Sequence, residues 1–502
     1  MFKKLKLQIL KEIKAHPALY TALLIIIVGA TFIRVYRTGQ ILGFYFDQGR
    51  DAIEIWELIH NGDFFLIGPT TGIAGIFRGP FYYYLLAPIY WISEGNPVWA
   101  ANFLALVSIA ALIMLYILTK EVAGRTAGLF AVTIAGFSFY ITLASRWLSN
   151  PTPMLILSMM LIYFMFRIID GKRWAWVGLA FVSGVSLFHF GSSGEIFYFP
   201  ALFIFIIIHR KNWPNKKVVV LSLLAFMSTA APLILFDIKN NWLIASNIKT
   251  FLFEKDSFKG SFSDVMYDRI GFYISEFGGK IFPGVSRMSD YLLFVVGFSF
   301  LYFLSKYLKN KKLIAVIMLF MSPLIGLLFF QGNEGNVYGY YLTGYYLVFV
   351  LLVGVVLSSG WKTVAGKLFV PLFFYTFFTM NLPIIYTNIT SGQDGPTTTN
   401  FNYQMKALGW IYNDSREGRF NVDVYVPPVI PYAYDYLFTW QDSKPGNAGR
   451  VEERVDLLYT LYEEDPPHPE RLDAWLERQK GIGEVEYQAR FGGITVQRRK
   501  RL

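Results

Sequence analysis

Long apolar runs separated by short basic connections organise the first 390 residues. "ALYTALLIIIVGATFI" (18–33), "FLALVSIAALIMLYIL" (103–118) and "LLFVVGFSFLYFL" (292–304) are examples, and soluble helices rarely repeat that pattern so often. The pattern predicts spans near 18–34, 97–119, 126–144, 153–169, 174–190, 196–209, 217–236, 291–306, 312–330, 338–358 and 368–387. "GPFYYYLLAPIYWI" (79–92) is only about two-thirds of spanning length and rich in Tyr and Trp, which predicts a juxtamembrane helix lying in the interface. The expected fold is a polytopic α-helical membrane protein of about eleven transmembrane helices plus juxtamembrane helices.

The pattern changes after residue 390. "SGQDGPTTTN" (391–400) reads as a polar linker whose last residues can cap a helix starting near Phe401. "VDVYVP" and "VDLLYTLYE" read as strands, "HPERLDAWLERQKG" as a helix and "EVEYQARFGGITVQR" as a hairpin. The expected division is a transmembrane domain over 1–390 and a small α/β soluble domain over 391–502.

Charge adds the orientation. The chain carries a net +11, which by itself invites a nucleic-acid reading. From residue 395 onward, however, 14 basic and 16 acidic side chains leave −2, so the excess lies in the membrane part. The N-terminal lysines, "KEVAGR" (120–125), "DGKR" (170–173), "HRKNWPNKK" (209–217), "KYLKNKK" (306–312) and "WKTVAGK" (361–367) carry it, and the positive-inside rule makes them cytoplasmic. No nucleic-acid partner is expected. The expectation is a multi-pass cell-membrane protein with a cytoplasmic N-terminus and an extracytoplasmic C-terminal domain. "MFKKLKLQILKEIK" lacks a small-residue cleavage site, so the first run reads as a retained anchor. The absence of cysteine removes disulfide and thiolate chemistry.

Charges that loop orientation leaves unexplained fall on the opposite face. In "FYFDQGRDAIEIW" (44–56), Asp47 and Asp51 flank Arg50, and a helix there would put both carboxylates on one face. Such a cluster is either a solvated ion-pair group or, among the surrounding aromatics, a functional one. Arg78, before the aromatic helix that contains Tyr82, and Arg146 in "ASRWLSNP" either snorkel or contact a lipid phosphate. His189 and Glu195 bracket "FGSSG" at a helix break, and no second His stands at metal-ligand spacing. Tyr340 belongs to a tyrosine cluster at the mouth of a span, where an aromatic belt is the plain alternative. No nucleotide-binding loop, HExxH or GxSxG motif is present.

The acidic motif after the first span, "GPFYYYL", "AGRTAGLFAVTIAGFSFYITLASRWLSNP" and the soluble tail together resemble the GT-C glycosyltransferases. The likeness is to the protein mannosyltransferase and aminoarabinose transferase superfamily (glycosyltransferase family 39, Rgt-like) and runs over roughly 15–390. The resemblance implies transfer of a sugar from a polyprenyl-phosphate donor to a lipid, glycan or protein acceptor at the outer membrane face. It gives Asp47 the role of general base, with Asp51 as the alternative, and makes Arg78 a donor-phosphate contact. Where the family's second acid usually follows the Arg-containing turn, this chain has Asn150, and Glu195 is the candidate replacement. Arg50, Arg78, Tyr82, Arg146, Asn150, His189, Glu195 and Tyr340 form the expected substrate-binding set. No cofactor is expected beyond a divalent cation that Asp47 and Asp51 could hold, and no protein metal site. The other class left open is a transporter or flippase of lipid-linked saccharides. The site is expected in a cavity between loop 35–96 and residues 145–195.

Overall fold

The computed structural model describes residues 10–71, 75–253, 262–284, 286–330, 335–390, 398–416, 418–427, 430–447 and 449–502, so most of the expected linker, 391–397, lies outside the described residues. Seven described helices are long and apolar enough to cross a membrane: Pro17–Val35, Pro97–Ala123, Lys216–Lys239, Arg287–Tyr307, Lys311–Phe329, Gly339–Gly360 and Val364–Thr390. Arg125–Phe137 and Phe139–Arg146 form a further, bent pair, and Met154–Ile169, Ala175–Phe190 and Glu195–Ile208 are shorter apolar helices. Every stretch expected to span is therefore helical, and the chain is a multi-pass membrane protein. Asparagines start several of these helices. The side chains of Asn96, Asn215 and Asn310 accept from Val98, Val218 and Lys312 backbone N–H groups, each at 3.0 Å, satisfying donors that a helix start leaves open.

The stretch expected as one straight span at 126–144 is broken instead, with a bend of 68° at Ser138. A break at membrane depth frees backbone groups that lipid cannot satisfy, so protein must. The buried Arg34 guanidinium donates to the carbonyls of Gly136 (2.8 Å) and Ala135 (2.9 Å). Asn381 accepts from the Phe139 N–H at 2.8 Å and donates to the Ile281 carbonyl at 2.8 Å. Ser138 donates to the Lys280 carbonyl at 2.6 Å. The bend thereby turns Phe139–Arg146 toward the segment around residue 280.

The stretch 35–96 contains the helix Phe46–His60 and the juxtamembrane helix Phe81–Ile92, the latter where the aromatic pattern predicts it. Leu243–Phe253 and Phe262–Gly279 are also helical, within a stretch whose polarity suggests only a loop.

The C-terminal part is a helix followed by a four-stranded sheet of order β1-β2-β4-β3. Asn400 caps the helix Phe401–Ser415 by accepting from Tyr403 N–H at 3.1 Å, as the linker sequence predicts. The strands are β1 (Asn421–Tyr425), β2 (Leu457–Glu463), β3 (Gly483–Phe491) and β4 (Ile494–Arg501). β1 and β2 pair in parallel, which requires a crossover, and the helix Tyr432–Asp442 supplies it. Sequence pattern does not anticipate that helix, because "PYAYDYLFTWQD" is buried on several sides and lacks a clean polar face.

The crossover helix docks on Phe46–His60. Tyr436 Oη donates to the Gly95 carbonyl at 2.5 Å, and Trp440 Nε1 to the Glu94 carbonyl at 2.7 Å. Below it, Asn400 donates to the Gln40 carbonyl (2.9 Å), Phe401 N–H to the Leu42 carbonyl (2.9 Å) and Gln404 to the Phe44 carbonyl (2.8 Å). The chain leading into Phe46–His60 is thus hung on the C-terminal part. Gly49 permits the close approach: a Cβ there would meet the Ala433 backbone nitrogen at 2.3 Å. Gly49→Ala should therefore destabilise the protein by about 1–3 kcal/mol, the scale of overpacking. Gly409→Ala, in a helix with open space at that point, should be neutral or slightly stabilising. Thermal unfolding of both variants in detergent checks the contrast.

Candidate functional site

Phe46–His60 opens with Tyr45 N–H donating to Gln48 Oε1 at 3.1 Å, and Gln48 Nε2 donates to the Leu148 carbonyl at 3.1 Å. That start fixes Asp47, Arg50 and Asp51 on one side of the first turns. Arg50 Nη1 lies 2.9 Å from Asp47 Oδ1, and Arg50 Nη2 lies 2.8 Å from Asp51 Oδ1. The two acids differ in exposure: the Asp47 side chain is 60% exposed and that of Asp51 7%. Tyr83, on the juxtamembrane helix, donates to Asp51 Oδ1 at 3.2 Å. The sequence does not reveal this partner, since it lies 32 positions away.

Burial dominates the electrostatics. It pushes the Asp51 carboxyl up to about 6, from an ordinary 3.8, although Arg50 acts in the opposite sense. Burial acts to lower the Arg50 guanidinium, but the charge and hydrogen bond of Asp51 together with the charge of Asp47 hold it above its usual range. The Tyr83 hydroxyl is raised by burial and by Asp51. The guanidinium of Arg50 stands between the two carboxylates, where a cation bridging both would have to stand. Among the described residues there is no group of three or more His, Asp or Glu side chains able to hold a metal.

Arg78 ends a short hairpin-like loop: Gly68 N–H donates to its carbonyl at 2.7 Å, and its own N–H to the Pro69 carbonyl at 3.1 Å. The next residue, Gly79, lies against His189, and a Cβ there would stand 2.1 Å from Nδ1. The Arg78 guanidinium makes no hydrogen bond or ion pair among the described residues, and its Nε is buried. Burial lowers its pKa, opposed by the charges of Glu195 and Asp51 and by Tyr340 and Tyr341. Arg78 is a half-buried cation with no hydrogen-bond or ion-pair partner among the described residues. Such a group is a candidate anion contact.

The other expected residues are placed as follows. His189 is buried, stacked on Phe81 at 3.7 Å, with Nε2 donating to the Thr229 carbonyl (2.7 Å) and Nδ1 3.5 Å from the Phe81 N–H. Glu195 accepts from the N–H groups of Ser192 (2.6 Å) and Gly344 (2.8 Å). Arg146 is buried and donates to Asn388 Oδ1 at 2.6 Å, and Asn150 donates to the Phe190 carbonyl at 3.3 Å. Tyr82 is buried, its ring 6.2 Å from that of Tyr83, while Tyr340 stacks on Tyr338 at 5.6 Å. Asp47, Arg50 and Asp51 come together directly, and Arg78 feels Asp51 and Glu195.

A cavity of about 1000 Å³ opens next to the start of Phe46–His60, with Tyr45, Arg146, Trp147, Glu276, Lys280 and Tyr340 among its lining residues, whereas Asp47, Arg50, Asp51 and Arg78 do not line it. Its far wall comes from 271–290 and 339–346, not from residues up to 195 as the sequence suggests. The reason is the bend at Ser138, which brings 140–147 against the helix Phe262–Gly279 and the segment after it. Glu276 and Lys280 are missed by the sequence reading. Their four-residue spacing at a helix end was the available signal.

Residues 78–236 match the family model described as dolichyl-phosphate-mannose-protein mannosyltransferase. No curated protein sequence matches the chain. Among solved structures, ArnT from Cupriavidus metallidurans bound to undecaprenyl phosphate is similar at 11% identity, with 95% of this chain and 98% of that one covered and a TM-score of 0.60. The Archaeoglobus fulgidus oligosaccharyltransferase in complex with Zn and sulfate is similar at 11% identity, 92% and 71% coverage and a TM-score of 0.50. The family match over 78–236 and these folds bear out the resemblance: the chain has the GT-C glycosyltransferase fold.

The Asp51 shift has a consequence for stability. With its folded pKa raised, the folded state keeps a proton between about pH 4 and 6 that the unfolded chain releases. The Asp51 contribution to stability should therefore fall as pH rises through that window, on the order of 1–3 kcal/mol, and level off above it. Unfolding free energy measured against pH should show this slope in the wild type and a shallower one in Asp51→Asn, the remainder coming from Glu463, whose carboxyl burial raises to about 7.

Proposed function

We propose that the chain is a membrane glycosyltransferase that moves a sugar from a polyprenyl-phosphate donor to an acceptor hydroxyl at the outer membrane face. One observation carries the reading. A water-facing carboxylate, Asp47, is oriented by Arg50, itself anchored on buried Asp51, while Arg78, whose guanidinium has no partner among the described residues, precedes the juxtamembrane helix whose Tyr83 bonds Asp51. The GT-C fold supports it, and ArnT, bound to undecaprenyl phosphate, is one of its similar structures.

In this reading Asp47 accepts the proton of the acceptor hydroxyl as its oxygen bonds to the anomeric carbon. The bond from that carbon to the phosphate oxygen breaks, and the electron pair leaves with the lipid phosphate. Arg78 offsets the charge of that leaving group. Arg50 holds Asp47 in place and is itself held by Asp51, which is buried away from the acceptor. Donor lipid, acceptor and surrounding membrane are the proposed partners, with residues 1–390 as the catalytic unit and 391–502 as the extracytoplasmic domain.

Asp47→Asn keeps shape but cannot take a proton, so turnover should fall by roughly a hundredfold or more, the usual scale for a lost general base. Undecaprenyl phosphate binding should survive it, whereas Arg78→Ala should weaken that binding. Both are read in membranes with lipid-linked sugar. A fully active Asp47→Asn protein overturns the catalytic role and favours a transporter of the same lipid. For orientation, single cysteines introduced at Lys217 and Gly446 should label from opposite membrane sides with an impermeant reagent.

A further inference from the structure

Glu276 and Lys280 stand four residues apart at the end of the helix Phe262–Gly279, and both line the cavity. Lys280 Nζ lies 2.7 Å from Glu276 Oε1, and Tyr346 Oη donates to the same oxygen at 2.6 Å. The ammonium also rests over the Tyr346 ring (4.3 Å) and the Tyr140 ring (5.3 Å). Glu276 Oε2 has no partner among the described residues. Gly339 makes room for this carboxylate, since a Cβ there would stand 2.7 Å from both oxygens.

The geometry points to a saccharide-binding subsite in this cavity, with Glu276 as the residue that reads a sugar hydroxyl. Its choice of ligand rests on the glycosyltransferase reading. A hydroxyl both donates and accepts, and here a carboxylate oxygen open to accept adjoins an ammonium able to donate. Partly exposed rings of Tyr45, Trp147 and Tyr340 stand in the same wall and offer faces to the apolar side of a pyranose. The charged lining residues are Arg146, Lys280, Glu276 and Asp290, two of each sign, which suits a neutral polyhydroxylated group better than a phosphate. Tyr45 stands two residues before Asp47 in the chain, so this part of the subsite adjoins the start of the helix that carries the proposed base.

The test uses the full chain in lipid nanodiscs and soluble probes: methyl mannoside, glucoside, galactoside and xyloside, with their monodeoxy analogues. Saturation-transfer NMR should detect binding of at least one glycoside, and one deoxy analogue should bind on the order of tenfold or more weakly, as expected where a site pairs with a hydroxyl. Glu276→Gln should erase that discrimination while leaving undecaprenyl phosphate binding unchanged. Trp147→Ala, elsewhere in the cavity lining, should weaken all the glycosides together and serves where Glu276→Gln fails to fold. Absence of any glycoside binding, or unaltered discrimination in Glu276→Gln, overturns the inference. So does unaltered affinity in Trp147→Ala. Displacement of the glycoside by farnesyl-phosphate mannose assigns the subsite to the donor sugar, and co-binding assigns it to the acceptor. Sugar binding without any transfer upholds the subsite and overturns the enzyme reading; transfer that ignores Glu276→Gln overturns the subsite alone.

Discussion

The guanidinium of Arg50 is the constraint around which the candidate site is arranged. A buried carboxylate at a membrane boundary is costly unless paired, and Arg50 pairs Asp51 while reaching out to Asp47. One arginine therefore couples a residue inside the protein to one facing water. Tyr83 adds a hydrogen bond to the buried acid, which ties the first helix of the site to the juxtamembrane helix. That helix begins just after Arg78. The cation proposed for the donor phosphate is thus tied, through Gly79 and His189, to the same framework.

A second set of polar residues makes its hydrogen bonds inside the protein. Arg34, Arg146, Asn381 and Asn388 are buried among the spans, and their partners are mostly backbone carbonyls or one another. Arginine at membrane depth invites a functional reading, yet Arg34 answers the carbonyls that the break at Ser138 exposes. His189 and Glu195 follow the same logic at their own helix break, where nearby backbone groups take up their polar atoms. A polar residue beside a broken helix is first a partner for the groups the break releases.

The features legible in the sequence are those set by local spacing. Apolar runs mark the helices, Asn400 marks the start of the helix Phe401–Ser415, and the central glycines of the last hairpin mark its turn. Asp47, Arg50 and Asp51 could be grouped because helical neighbours lie three and four positions apart. The bend at Ser138 was not legible, since the residues that satisfy it lie about 100 and 240 positions away. The helix Tyr432–Asp442 escaped for a related reason: its burial comes from docking on Phe46–His60 and from its role as a crossover. The cavity wall depends on the bend, so Glu276 and Lys280 went unmarked as site residues although their spacing at a helix end was visible.

The long reach of these contacts bears on how the protein comes into being. Asn381, which accepts from the backbone at the bend, belongs to Val364–Thr390, the final long apolar helix of the chain. The carbonyls of Gln40, Leu42 and Phe44 are held by residues 400–404, made some 360 positions later. A nascent chain carries its acid helix early in synthesis but lacks the parts that set it. The bend, the cavity wall and the approach to Asp47 take their form only after the ribosome has passed residue 400 and that segment has met the first loop. A chain that stops short of that point would hold the acid cluster without the frame that aims it.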